Sequence, residues 1–233
     1  LFGQPADIDK IIAVAEEYDL KVIIDGAQSF GSTYKNISDS SLGNYSTTSF
    51  FPAKPLGCYG DGGALFTNNK YLSNKMFSLR VHGSGENKYD NVLVGMNSRL
   101  DTIQATILLE KIKIFKSELK LKNKIFKKYN RLLSSKFKKT KTKKGIKSAM
   151  ALYTLRHDKR DDLLKYLKSK GIPAAIYYSK PLHLQKAYKK YPKSPDKCQN
   201  SLELSKKVFS VPFHAYLSKK DIKKVIDTLN SFN

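Results

Sequence analysis

Lys54 stands in Ser49-Phe50-Phe51-Pro52-Ala53-Lys54-Pro55-Leu56-Gly57, with Gly60-Asp61-Gly62-Gly63 just beyond. The chain has many other lysines, almost all in polar runs, whereas this one lies between prolines in an apolar, glycine-rich turn. Desolvation disfavours an ammonium, so a lysine held this way is more readily a neutral amine. A neutral amine attacks carbonyls, and the segment reads as a Schiff-base site. Other groups complete a possible constellation: Asp25 closes the apolar run Val22-Ile23-Ile24, Gln28 follows it, and Ser49 precedes the lysine. Asn97 and Arg99 sit in Gly95-Met96-Asn97-Ser98-Arg99-Leu100-Asp101. Taken singly these are weak signals, since a strand-end Asp or an Asn ahead of a helix is more often a cap or turn residue. Taken together they supply what pyridoxal 5'-phosphate requires: an amine for its aldehyde, an acid for its ring nitrogen and donors for its phosphate.

The elements that must position these groups follow from periodicity. Asp7 to Tyr18 has apolar residues at helical spacing, with Pro5 ahead of it. Lys21 to Asp25 reads as a buried parallel strand that presents Asp25 at its carboxyl end, where open α/β sheets bind ligands. Thr47 to Phe51 and Gly63 to Thr67 are further strands, and Lys70 to Arg80 is a helix. From Leu100 to about Leu133 a long helical pattern continues. A basic break at 136–147, KFKKTKTKKGIK, is expected to be a solvated loop. Beyond it lie an Ala149–Arg156 strand, a Lys159–Lys170 helix, a Pro173–Tyr177 strand, a Ser201–Lys207 helix, an extended Val208–Val211 and a terminal helix over Ser218–Phe232, with Ser218 as its N-cap. The expected fold class is α/β: part of a large domain with a mainly parallel sheet over 1–112, then a smaller α+β domain over 113–233, joined through the long helix.

Composition limits the other readings. The 233 residues, 40% hydrophobic, can bury a substantial core. No apolar run is long enough to span a bilayer and no signal segment opens the chain, so no membrane insertion is expected. Cys58 and Cys198 form no CxxC pair, which argues against metal or disulfide roles and fits a reducing cytoplasm. Net charge is +23, from 43 Lys plus Arg against 20 Asp plus Glu, and only five of the basic residues are Arg. Nucleic-acid readers favour Arg forks, so a nucleic-acid partner is not expected, although the basic run keeps an anionic partner, nucleic acid or membrane surface, as a competing reading.

The segments Gly3-Gln4-Pro5-Ala6-Asp7, Val22 through Gly31, Ser49 through Gly63, His82-Gly83, Gly95 through Gln104, Gly171-Ile172-Pro173 and Tyr178-Ser179-Lys180-Pro181-Leu182-His183 carry a resemblance over nearly the whole chain. The chain resembles the DegT-type, sugar nucleotide-dependent aminotransferases, which are fold type I pyridoxal phosphate enzymes. The resemblance implies that Lys54 holds the cofactor and shuttles a proton, that Asp25 pairs with the ring nitrogen, and that Gln28 packs near the ring. It implies further that Ser49 binds the phosphate and that the site is shared across a homodimer. In it Asn97 reaches the neighbouring subunit's phosphate and Arg99 that subunit's sugar nucleotide, while Tyr178 and His183 line the nucleotide-sugar pocket. Ser179 stands where the family often has Pro. L-Glutamate is the family's usual amine donor and a nucleotide-linked keto sugar the acceptor.

The wording around Lys54 and Ser210-Val211-Pro212-Phe213-His214 is most similar to enzymes aminating C3 of a UDP-linked 3-keto N-acetylglucosaminuronate for O-antigen synthesis. A neighbouring subgroup aminates C4 of a 4-keto-6-deoxy sugar. A dehydratase of the same fold carries histidine in place of the lysine, which Lys54 argues against, and a regulatory relative would bind cofactor without turnover. Full members of the family extend further at the N-terminus, so the chain from Leu1 is expected, alone, to be poorly soluble and inactive.

Overall fold

The computed structural model describes residues 1–87, 89–192 and 194–233. Two compact units emerge: 1–119 with 142–151, and 120–141 with 152–233. The elements are α1 (Ile8–Glu17), β1 (Ile23–Asp25), β2 (Thr33–Tyr34), β3 (Ile37–Ser38), β4 (Tyr45–Ser49), β5 (Gly63–Phe66), α2 (Lys70–Arg80), α3 (Thr102–Leu132), β6 (Lys138–Lys139), β7 (Ile146–Lys147), β8 (Tyr153–Arg156), α4 (Arg160–Ser169), α5 (Gln199–Lys207), β9 (Val208–Val211) and α6 (Lys219–Ser231).

In the first unit, β1, β4 and β5 form a three-stranded sheet in that order. β1 runs parallel to β4, with Asp25 beside Thr47, but β5 runs antiparallel to β4, with Ser49 opposite Gly63. The strands of this sheet thus form one parallel and one antiparallel pair. The cause lies in the connection. A parallel return needs a crossover, usually a helix, whereas the 50–62 segment doubles back on itself. Phe50 N–H donates to Gly62 O at 2.7 Å, and Cys58 N–H donates to Phe50 O at 2.7 Å. Within this chain β1 pairs with β4 alone and Ile23 is 65% exposed, where a buried strand was expected. Beneath the loop Phe50, Leu56 and Cys58 pack with Leu108 and Phe115 of α3, and Phe30 stacks on Phe115.

The second unit is built around β6, β8 and β9, all antiparallel neighbours. Every residue of β9 is buried, and α6 buries Ile222, Val225, Ile226 and Leu229 at helical spacing. Ser218 caps α6 as expected, its Oγ accepting from Asp221 N–H at 3.0 Å.

The basic run is not simply a loop. β6 pairs with β8 in the second unit, and β7 pairs with β2 in the first. Strand pairing uses backbone groups, so lysines facing solvent do not prevent it, and Phe137 supplies a buried anchor. Lys139 Nζ donates to Asn130 O and Leu133 O, satisfying carbonyls at the end of α3. Pro173–Tyr177 forms no strand; only Ala175 bridges Ser210. Pro173 lacks the N–H that a ladder requires.

Candidate active site

The site is built on the carboxyl ends of β1 and β4. Residues paired in register share a face of the sheet, and residues two apart along a strand do the same. Asp25 pairs with Thr47, and Ser49 lies two residues beyond Thr47, so Asp25 and Ser49 occupy one face. The other face of β4 buries Ser46 and Thr48. Asp25 is exposed, and its Oδ1 accepts from Ala27 N–H at 3.0 Å, which shapes the turn carrying Gln28. Ser49 Oγ accepts from Phe51 N–H at 3.2 Å.

Lys54 lies on the loop that leaves β4. Its N–H donates to Phe51 O at 2.9 Å, closing a tight turn. Gly57 fits against that turn so closely that a Cβ there would fall 2.5 Å from Pro52 O and 2.7 Å from Phe51 O. Glycine is thus required by backbone approach. Leu56, Gly57 and Cys58 are buried, so the loop that carries the half-buried Lys54 rests on a packed base. Cys58 Sγ donates to Phe50 O and Gly60 O, which accounts for that thiol as a structural group.

Asp25, Ser49 and the loop bearing Lys54 lie at the same, carboxyl, end of β1 and β4. An acid, a hydroxyl and an amine at that end form a donor set that fits pyridoxal phosphate.

Asn97 and Arg99 belong to a different segment and are exposed. Their position is set by the end of α2. His82 N–H donates to Met96 O at 3.0 Å and Ser98 N–H to Arg80 O at 3.0 Å. Gly83 and Gly95 let two backbones cross: a Cβ on Gly83 (φ +75°) would lie 1.7 Å from Leu93 O. Tyr178 and His183 are in the second unit, Tyr178 exposed beside the Tyr177 ring and His183 in a short 3₁₀ turn, Leu182–Leu184.

Nothing in the sequence marks out Asp39, which reads as one polar residue in Ser38-Asp39-Ser40-Ser41. In the structure it is fully buried. It sits behind the Asp25 turn, where a Cβ on Gly26 would lie 3.2 Å from Asp39 Oδ2. Burial pushes its carboxyl pKa up, and the hydroxyls of Ser29 and Ser32 and the N–H of Ser40 oppose that weakly. Neither carboxyl oxygen has a well-formed hydrogen bond among the described residues.

The DegT/DnrJ/EryC1/StrS aminotransferase family matches residues 1–230. The chain belongs to this family. It is 40% identical to UDP-2-acetamido-2-deoxy-3-oxo-D-glucuronate aminotransferase of Pseudomonas aeruginosa, over 99% of this chain and 64% of that protein. A solved DegT DnrJ EryC1 StrS aminotransferase from Brucella abortus superposes with TM-score 0.95 at 45% identity, covering 98% of this chain and 61% of the other. The DesV structure from S. venezuelae, in complex with a ketimine intermediate, gives TM-score 0.93 at 30% identity, over 99% of this chain and 62% of that one. The chain thus spans less than two thirds of the length of these relatives. The expected family and the α/β fold class are borne out. Among the described residues no helix is long and apolar enough to cross a membrane.

Proposed function

We propose that this chain supplies the lysine, ring-nitrogen acid and phosphate hydroxyl of a pyridoxal phosphate-dependent sugar aminotransferase. The observation that carries the reading is the shared sheet face of Asp25 and Ser49 at the start of the Lys54 loop. In this reading 1–112 is part of the cofactor-binding domain and 113–233 the small domain. When bound, the cofactor supplies an electron sink for a carbanion next to nitrogen. Lys54 Nζ holds the cofactor and afterwards carries a proton to or from the substrate carbon. The Asp25 carboxylate keeps the ring nitrogen protonated, Ser49 Oγ donates to phosphate, and Gln28 orients the ring.

The acceptor is a nucleotide-linked keto sugar and the donor is L-glutamate. The name of the P. aeruginosa relative favours UDP-3-keto-N-acetylglucosaminuronate as acceptor. Its product would serve O-antigen or other surface polysaccharide synthesis in the cytoplasm. A C4 aminotransferase of a 4-keto-6-deoxy sugar nucleotide is the second reading, supported by a 29% identical UDP-4-amino-4,6-dideoxy-N-acetyl-beta-L-altrosamine transaminase of Campylobacter jejuni. A homodimer with shared sites fits the exposed apolar side chains of Val92, Val94, Met96 and Ile103, which surround Asn97 and Arg99 in sequence. Arg99, with Tyr178 and His183, would then meet the sugar nucleotide.

The test uses the whole protein. Lys54→Ala removes the Schiff-base absorbance band and lowers glutamate-dependent amination by about 10²–10⁴-fold. A normal band in that variant refutes the assignment. Comparing the 3-keto uronate with a 4-keto-6-deoxy sugar nucleotide as acceptor separates the two substrate readings.

A further inference from the structure

The net charge is divided unequally between the two units. Of the 43 Lys and Arg, 28 fall in the second unit, against 7 of the 20 Asp and Glu, a net +21. The first unit holds the remaining 15 against 13, a net +2. Both units are encoded in one chain, so a general compositional preference for lysine does not explain the difference. The excess of lysine belongs to the second unit.

Part of that charge is ordered on one helix. Lys120, Lys124, Lys127 and Arg131 of α3 are all exposed. At about 100° per residue they fall within an arc of about 60°, and they extend along roughly 17 Å of helix axis. Lys113 and Lys116, also exposed, continue the same series toward the helix start, where Lys113 pairs with Glu110 at 2.6 Å. The opposite face carries the buried Phe115, Ile125, Phe126 and Tyr129, and Glu118 lies outside the basic arc. Neighbours along this stripe are three or four residues apart, the spacing at which like charges repel. The helix thus keeps an arrangement that is locally unfavourable, with no acid among the four.

We propose that this face of α3 docks the protein on an anionic lipid bilayer surface. A straight row of cations on one face meets a plane all at once, and clustered basic residues on a helix favour anionic headgroups. The second unit has 25 Lys and only 3 Arg. Lysine is a flexible point charge suited to a fluid array of headgroups, whereas phosphate recognition in nucleic acid draws on the bidentate Arg fork. The docking is electrostatic and reversible, requires no inserted segment, and is independent of the aminotransferase reading.

The test is co-sedimentation of the whole protein with phosphatidylcholine vesicles, with and without phosphatidylglycerol, at low and high salt. Binding is expected only with the anionic lipid, and it is expected to fall as salt rises. The triple variant Lys120→Gln, Lys124→Gln, Lys127→Gln should partition roughly 100-fold more weakly. Gln is a comparable helix former, so the fold should persist, which circular dichroism checks. A control variant with the same charge loss, Lys168→Gln, Lys219→Gln, Lys220→Gln, takes exposed lysines from α4 and α6. It should stay within about threefold of the parent, since no stripe is lost. Equal weakening by both variants overturns the proposal, as does binding to vesicles without anionic lipid. Duplex DNA that displaces the protein from vesicles at equal phosphate concentration overturns it in favour of nucleic acid.

Discussion

The two units of this chain differ in what their packed residues support. The second packs a dense centre: Tyr129, Tyr153, Phe126 and Phe213 form a cluster of aromatic contacts, and β9 is buried along its whole length. Its buried phenols are satisfied, Tyr153 donating to Asn130 Oδ1 at 2.7 Å and Tyr129 to Pro212 O at 3.0 Å. Burial pushes both phenol pKa values up. The first unit leaves apolar residues of its outer strands in solvent, Ile23 and Leu65 among them. Both units bury polar groups: Ser29, Ser32, Asp39, Ser46 and Thr48 in the first, and Thr154, Arg160, Ser205 and Ser210 in the second. The candidate chemistry sits in the first unit and the aromatic core in the second.

That contrast is testable by placing substitutions on either side of it. Leu229→Ala, in the second unit's core, is expected to cost about 2–5 kcal/mol of stability while leaving the cofactor band of folded protein unchanged; urea denaturation with parallel absorbance spectra measures both. A changed band in that variant would erase the division. In the first unit, Gly57→Ala forces the Lys54 turn apart and should lower activity by about 10²-fold through misplacement of the amine. Steady-state kinetics with the cofactor spectrum check this, and wild-type kinetics would show that the tight turn is irrelevant to the site.

Smaller effects sharpen the same comparison. Ser218→Ala removes the α6 cap and should cost about 1 kcal/mol, visible as a lower urea midpoint with unaltered kinetics. Asp39→Asn should act in the other direction. A carboxyl whose folded pKa is raised above its unfolded value stabilises the fold only while protonated in the native state, and loses that contribution as pH rises from the ordinary carboxylate range through the raised value. The Asn variant should therefore be more stable than the parent at neutral pH, with the difference shrinking on acidification. Thermal melts across pH decide it, and a difference that does not vary with pH would mean the burial of Asp39 carries no ionisation cost.

Sequence was most informative where structure is local. The bounds of α2 and β9 coincide with the expected Lys70–Arg80 and Val208–Val211, and in α2 the Asn69 cap marks the start. The lysine turn was legible for the same reason: prolines and glycines fix its shape within a few residues. Long-range features were not. The antiparallel run of β5 depends on the 50–62 segment folding onto α3, and the strands in 136–147 depend on partners far along the chain. Asp39 is the extreme case. Its side chain type predicts solvent, and only the closure of the Asp25 turn over it makes it an interior group.

Lysines of the same run also differ in availability as reagents. Lys139 spends its amine on two carbonyls at the end of α3, and Lys136 spends its amine on Asn230 O and Phe232 O at the end of α6. An amine engaged in this way is slow to acylate, so a lysine-selective label would mark Lys138 in preference to Lys136 and Lys139. The same engagement makes charge alone an insufficient replacement. An arginine at 139 would keep the cation but would present a planar fork to two carbonyls that a tetrahedral ammonium reaches from one atom. In this run the chemical identity of a basic residue, and not its sign, ties helix ends to the body of the protein.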